Sequence, residues 1–178
     1  MIDARQRVTG RIPYTIDVAV PGMQHAKLLR STMAHARIIR IETTAARAVR
    51  GVSAVVTGAD LAARSDLFPY FGPVFRDQPI LAIDKVRYIG EPVVGVVAVD
   101  TDTAQRAIDL IEVEYEELPA VFDAEAALAP GAPLVHEDPP PTGRTYADII
   151  VRREPGTNVC NHFRLRKGDV AAGFAQAD

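Results

Sequence analysis

Apolar and polar positions alternate in two short runs near the start of the chain, "HAKLLRS" (residues 25–31) and "ARIIRIE" (36–42), with the polar kink "TMAH" between them. A period of two places successive side chains on opposite faces of a strand. The spacing therefore predicts two strands that pair or lie side by side. Past them, "TTAARAVRG" (43–51) opens on Thr43, a helix-capping residue type, and closes on Gly51. It predicts a short helix. "VSAVVTG" (52–58) is rich in β-branched residues that suit a pleated surface, so it predicts a buried strand ended by Gly58, with "ADL" starting a single turn.

Residues 62–78, "AARSDLFPYFGPVFRDQ", keep no period and contain two prolines and four aromatic rings. They predict a loop pinned by its rings to the core or, less favoured, to a partner. In "VRYIGEPVVGVVAVD" (86–100), Gly90 and Pro92 flank Glu91 between two apolar runs. Glycine admits backbone conformations closed to other residues and proline fixes φ, so "GEP" predicts a sharp junction between strands "KVRYI" and "VVGVVAV".

The firmest helical pattern follows. In "TDTAQRAIDLI", Ala104, Ala107, Ile108 and Ile111 recur at the i, i+3, i+4, i+7 spacing of one buried face, with Asp100 or Thr101 as the cap. "IEVEYEELPAV" then alternates Ile111, Val113 and Tyr115 with Glu112, Glu114 and Glu116, the pattern of a strand with one face in water. In "DAEAALAPG", Asp123 is a predicted N-cap and Pro-Gly a stop.

From Glu137 the composition turns to proline, arginine and polar residues, and periodicity returns only in "GDVAAGFAQAD", where Asp169 caps a predicted final helix. Residues 1–136 thus read as one α+β domain and 137–178 as an extended arm, laid over a neighbouring domain or left mobile.

Composition narrows the function. The 178 residues are 48% hydrophobic and 24% charged, without an apolar run approaching the roughly 18 residues of a membrane span. The first thirty residues contain no apolar signal core, so a cytoplasmic location is the expectation. A net charge of −3 argues against nucleic acid, which binds basic surfaces. The arm's Arg144, Arg152, Arg153, Arg164, Arg166 and Lys167 form the basic concentration, suited to an acidic partner domain.

Motifs for chemistry are weak. "GEPVVGVV" has phosphate-loop glycine spacing, but Val96 and Val97 stand where Lys and Ser/Thr must reach phosphate and magnesium. His25, His35, His136 and His162 never fall at metal-ligand spacing. Cys160 lies two residues from His162, but in a polar arm that gives nothing to lower the thiol pKa. One cysteine cannot supply the four thiolates of an iron-sulfur cluster. Glu91 lacks a companion acid or base, so a structural role at the junction outweighs a catalytic one. The expectation is no catalytic, cofactor-binding or metal-ligating residue on this chain.

Six pieces occur in order along nearly the whole sequence: "RVTGRIPYTIDVAVPGMQHAKLLRS", "AHARIIRIETTAARAVRGVSAVVTGADL", "PILAIDKVRYIGEPVVGVVAVD", "TAQRAIDLIEVEYEELPAVFDAEAAL", "GAPLVHE" and "NHFRLRKGDVAAGFAQAD". Together they resemble the N-terminal α/β-hammerhead domain of the molybdopterin-binding large subunit of the xanthine dehydrogenase and aldehyde oxidase family. Thr32-Met33, Glu42 and Val94 depart from the residues commoner there. The resemblance implies a mixed β-sheet with a few short helices. It implies a parent enzyme that hydroxylates aldehydes or N-heterocycles with molybdopterin, [2Fe-2S] clusters and FAD. Its partners would be the molybdopterin-binding remainder, an iron-sulfur subunit and an FAD subunit. The family's base glutamate belongs to the longer region that follows, so Glu91 matches a strand junction. The chain alone is then expected to be inactive, a fragment or separately encoded subunit with a scaffolding role. The other readings are a freestanding binding module using the aromatic loop and, more weakly, an enzyme built on Cys160 and His162.

Overall fold

The computed structural model describes residues 2–72, 76–136, 154–162 and 167–177. In chain order these form α1 (Ala4–Val8), a 3-10 turn (Thr15–Asp17), β1 (His25–Arg30), β2 (Ala36–Glu42), α2 (Thr44–Arg47), β3 (Val52–Thr57) and α3 (Gly58–Ala62). They continue with β4 (Tyr70–Phe71), β5 (Gln78–Pro79), β6 (Lys85–Val86), β7 (Pro92–Ala98), α4 (Thr101–Ile108), β8 (Glu112–Glu117), α5 (Ala124–Leu128) and α6 (Val170–Ala175). The architecture is α+β, as expected.

The strands divide into sheets ordered β1-β7-β3 and β6-β2-β8 and a β4-β5 ribbon, with every described pair antiparallel. The expected pairing of the first two strands does not occur. β1 pairs with β7, and β2 pairs with β6 and β8. The reason lies in the kink between them. Ser31 Oγ donates to Met33 O at 2.9 Å and accepts from Met33 N at 3.0 Å, closing a tight local turn. That turn carries the chain out of one sheet and into the other.

β7 is the central strand of its sheet, and Val93, Val94, Val96 and Ala98 are fully buried along it. Each buried valine contributes about 1.5–3 kcal/mol of transfer free energy. α4 packs against β1 and β7 through Thr103, Ala104, Ala107 and Ile108, and Ile111 just past the helix joins the same core, as the spacing predicted. Asp100 caps this helix by accepting from Thr103 N at 2.6 Å, which holds its carboxyl below the ordinary 3.8. The small alanines on the inner face let the helix approach the sheet closely.

Other caps follow the sequence with one exception. Asp123 accepts from the amides of Glu125 and Ala126, and Asp169 from that of Ala172. For α2 the side-chain cap is Glu42, whose Oε1 accepts from Thr44 N at 2.8 Å; the Thr43 hydroxyl accepts from Arg47 Nε instead. Thr57 and Asp60 form a reciprocal capping box at α3, a T-x-x-D signal readable in the sequence. Gly58, at the start of that helix, meets the backbone of a neighbouring segment. A Cβ there would lie 2.1 Å from Ala82 O.

β8 turns Val113 and Tyr115 toward the core and Glu112, Glu114 and Glu116 outward. The acidic row is paired across the sheet, with Arg37 3.2 Å from Glu116 and Arg40 3.8 Å from Glu114. Exposed pairs of this kind are worth about 0–1 kcal/mol each. The predicted 62–78 loop includes β4 and the first residue of the β4-β5 ribbon's second strand. Its described rings do not reach the core. Phe68 and Phe71 are exposed; Phe68 packs against Tyr70 with ring centroids 5.7 Å apart, and Arg76 lies over Phe68.

Candidate functional site

The chain passes between the two main sheets several times, and the crossing that meets the Ser31 turn, from β6 to β7, contains Glu91. β6 ends at Val86, residues 87–91 make the turn, and β7 begins at Pro92. "KVRYI" is therefore a two-residue strand followed by a turn, because Gly90 has a φ of +92°, a value that L side chains resist. The two crossings are bonded to each other. Ser31 N donates to Glu91 O and Gly90 N to Ser31 O, both at 2.8 Å, and Arg30 Nη1 donates to Gly90 O at 2.8 Å.

Glu91 is only 2% exposed, and its Oε2 accepts from the backbone N–H of Arg87, four residues back. The carboxylate closes its own turn. Burial pushes its pKa above the ordinary 4.5, while the Arg87 amide and then the Arg87 charge oppose the shift. Tyr115, on β8, faces the same junction. Burial raises its phenol above the ordinary 10, a hydrogen bond with Ser31 opposes this, and the Glu91 charge adds to it. Ser31, Arg87, Glu91 and Tyr115 thus form a polar knot where strands of both sheets meet.

Of the other residues considered from the sequence, His35 is buried. Its Nδ1 lies 2.7 Å from Pro119 O, which fixes the ring at the end of β8. His25 lies on β1, and His136 lies beside a cleft. His162 Nδ1 is 3.8 Å from Glu154 Oε1, and Cys160 is exposed. The structure gives Cys160 and His162 no bond to each other. Among the described residues, no group of three or more His, Cys, Asp or Glu side chains is placed to hold a metal ion. Arg144, Arg152, Arg153, Arg164 and Arg166 lie outside the described residues, and Lys167 is exposed.

Asn158 ties part of the arm to the domain. Its side chain accepts from Val135 N and donates to Ala127 O and Pro133 O, at 2.9–3.1 Å. This anchor was not foreseen, since an isolated asparagine in a polar stretch carries no periodic signal. Arg87 was also missed, whereas the inward phase of Tyr115 was visible in the alternation of β8.

Beside the junction, clefts of about 370 Å³ and 260 Å³ share Arg87, Tyr88 and Val135 in their walls, and one of about 410 Å³ adjoins both. Glu91 lines the 370 Å³ cleft, and Cys160 lines the 410 Å³ one. What the arrangement supplies is a rigid sheet junction beside an open, largely apolar surface.

The family described as "Aldehyde oxidase and xanthine dehydrogenase, a/b hammerhead domain" matches residues 9–119. A probable xanthine dehydrogenase component of Bacillus subtilis (strain 168) is 36% identical over 176 residues, covering 99% of this chain and 21% of its own length. The nicotinate dehydrogenase large molybdopterin subunit of Eubacterium barkeri is 34% identical over 177 residues, covering 99% of this chain and 36% of that protein. Among solved structures, a Cu,Mo-CO dehydrogenase superposes with a TM-score of 0.69 at 40% identity, over 75% of this chain and 17% of that one. The chain therefore spans between about a fifth and about a third of the length of these two curated relatives. By its strand pattern, its sheet junction and these matches, the chain belongs to the aldehyde oxidase and xanthine dehydrogenase a/b hammerhead family.

Proposed function

We propose that this chain is the hammerhead portion of a molybdenum-dependent hydroxylase of the xanthine dehydrogenase and aldehyde oxidase type, and that it acts in assembly and positioning. The observation that carries this reading is Glu91. Its carboxylate is buried and bonded to the Arg87 amide of its own turn, so the one acidic group at the sheet junction is committed to structure. A general base needs a carboxylate free to take a proton, and the Glu91 carboxylate already accepts from the Arg87 amide.

The residues present do not fit the implied cofactors. A phosphate-bearing pterin needs a cradle of amides or cations. The clefts instead present Asp77, Glu91 and Asp123, with Arg87 as the cation among their lining residues. An iron-sulfur cluster needs four thiolates, and the sequence has one cysteine. We therefore assign catalysis to polypeptide beyond these 178 residues and no catalytic, metal or cofactor residue to this chain.

In this reading residues 1–136 are the hammerhead domain and 137–178 an arm that leads toward the molybdopterin-binding region. An iron-sulfur subunit and an FAD subunit complete a cytoplasmic enzyme acting on aldehydes or N-heterocycles. Among the described residues no helix is long and apolar enough to cross a membrane. The freestanding binding module receives no support from the relatives, in all of which this sequence corresponds to part of a longer chain.

The test is a pull-down from the native source followed by metal analysis. Molybdenum is expected in the native complex, and neither molybdenum nor hydroxylase activity in the 178-residue chain alone. Stoichiometric molybdenum in the isolated chain would overturn the proposal.

A further inference from the structure

Residues 154–162 form a loop that is closed on itself. Glu154 N donates to Val159 O and Thr157 N to Glu154 O, both at 3.3 Å, while Val159 N donates to Thr157 Oγ1 at 3.1 Å. These bonds shape the loop without attaching it to the domain. The bonds of Asn158 point the other way. Its Oδ1 accepts from Val135 N at 3.0 Å, and its Nδ2 donates to Ala127 O at 3.1 Å and to Pro133 O at 2.9 Å. Both hydrogens of the side-chain amide are used, and all three partners are backbone groups. Ala127 lies in the last turn of α5, where carbonyls have no partner within the helix. Asn158 therefore caps the end of α5 from a segment 31 residues away and pins the turn that follows it.

Little else in the loop is suited to hold it. Of residues 154–162 only Asn158 and Val159 are half-buried, and the other seven are exposed. Seating the loop closes 23 to 31 residues of chain, at an entropic cost that the contact has to offset. With so little apolar surface covered, that offset falls on the amide. The seated loop also makes a cavity wall. In the cleft of about 410 Å³, Val121, Ala124 and Ala127 stand on the domain side and Thr157, Val159 and Cys160 on the loop side.

We propose that Asn158 is the latch of a conformational strap. Residues 154–162 seat on the α5 turn and leave it as one preformed unit, and the three amide bonds decide between the two states. Seated, the strap caps α5, walls the cleft and fixes where the residues after it leave the domain. Released, it uncaps α5 and opens the cleft to water, a local opening that leaves the core intact. The device is built from this chain's own residues and holds whether or not the assembly reading does.

The experiment compares the 178-residue chain with Asn158→Asp and Asn158→Ala at neutral pH, by hydrogen exchange resolved to single amides by NMR. Asn158→Asp is the more informative change. It keeps the size of the side chain and an acceptor for Val135 N, but it has no hydrogen for Ala127 O and Pro133 O and sets a negative charge against both. The Val135 amide should exchange faster in both variants, on the order of tenfold or more from the loss of two or three hydrogen bonds, while the amides of β7 and α4 keep their rates. Cys160, the one cysteine of the sequence, takes a nitroxide as a second reporter. Its EPR lines should sharpen in both variants as the strap leaves the cleft wall. Unchanged Val135 exchange and nitroxide motion in Asn158→Asp would show that the side chain only fills space, and would overturn the proposal. So would a Val135 amide already unprotected in the parent chain, or faster exchange spread evenly over β7, which marks global destabilisation instead of release of a strap.

Discussion

β7 with α4 and the segment before β1 carry similar amounts of apolar side chain, yet their fates are opposite. Val93, Val94, Val96, Ala104 and Ala107 are fully buried, whereas Ile2, Val8, Ile16, Val18 and Val20 are all exposed, Ile16 to 93%. Hydrophobicity does not separate the two regions; periodicity and a facing partner do. β7 has strands on both sides and a helix whose apolar stripe repeats at 3.6 residues, so each side chain finds a complementary surface within the chain. The N-terminal segment has short turns without a stripe, and nothing described in this chain covers it. Its apolar residues, like Ile89 and Phe122, stand exposed.

The sharpest break of that comparison is a charge placed in the buried layer. Val96→Asp leaves an unpaired carboxylate at a fully buried position, and a loss of more than about 4 kcal/mol is expected. Circular dichroism and urea titration of the 178-residue chain should find it unfolded. A folded protein with a near-native midpoint would mean that the layer is far looser than its burial indicates.

Gly58→Ala tests the same core from its edge. The added Cβ would lie 2.1 Å from Ala82 O, so backbone has to move. A loss of about 3 kcal/mol is expected, read as a lowered urea midpoint. Equal stability of the variant would show that the 81–82 segment yields freely.

Glu91 supplies a change that appears as a slope with pH. Its folded pKa is raised above the ordinary 4.5, chiefly by burial, so the folded state binds its proton more tightly than the unfolded chain. The corresponding stability is full below pH 4.5 and is lost as pH rises through the folded value. Glu91→Gln keeps an oxygen to accept from the Arg87 amide and has no proton to lose. The variant's stability should therefore be flatter with pH across that window, as followed by thermal melts at stepped pH. An identical slope in both proteins would refute the assignment.

The smallest effect belongs to the uncovered region. Ile16→Ser should change the unfolding free energy of the isolated chain by less than about 0.5 kcal/mol. A loss comparable to that of a core substitution would erase the contrast between the two regions.

Wherever local pattern and global packing agree, the elements were legible in the sequence. α4 and its inner face, the inward phase of β8 and the caps at Asp100, Asp123 and Asp169 each rest on interactions within a few residues. The α2 cap was misplaced because Glu42 reaches the Thr44 amide from outside the helix while the Thr43 hydroxyl is taken by Arg47 Nε. The pairing of β1 was misjudged for a deeper reason. Sequence neighbours usually pair, but the Ser31 turn sends β2 to another sheet, and β1 finds its partner more than sixty residues later in β7. At the site, the junction role of "GEP" was readable from Gly90 and Pro92. The convergence of Ser31, Arg87 and Tyr115 on Glu91 was not, because it joins segments with no shared local signal.

By itself the sequence determined the α+β class, the principal helix with its buried face and the family, since these are written in periods, caps and motifs read along the chain. Only the tertiary structure decided which strands pair, that the Glu91 carboxylate closes its own turn, and that Ser31, Arg87 and Tyr115 gather around it. Those properties depend on distances between remote segments, which hydrophobic periodicity does not encode.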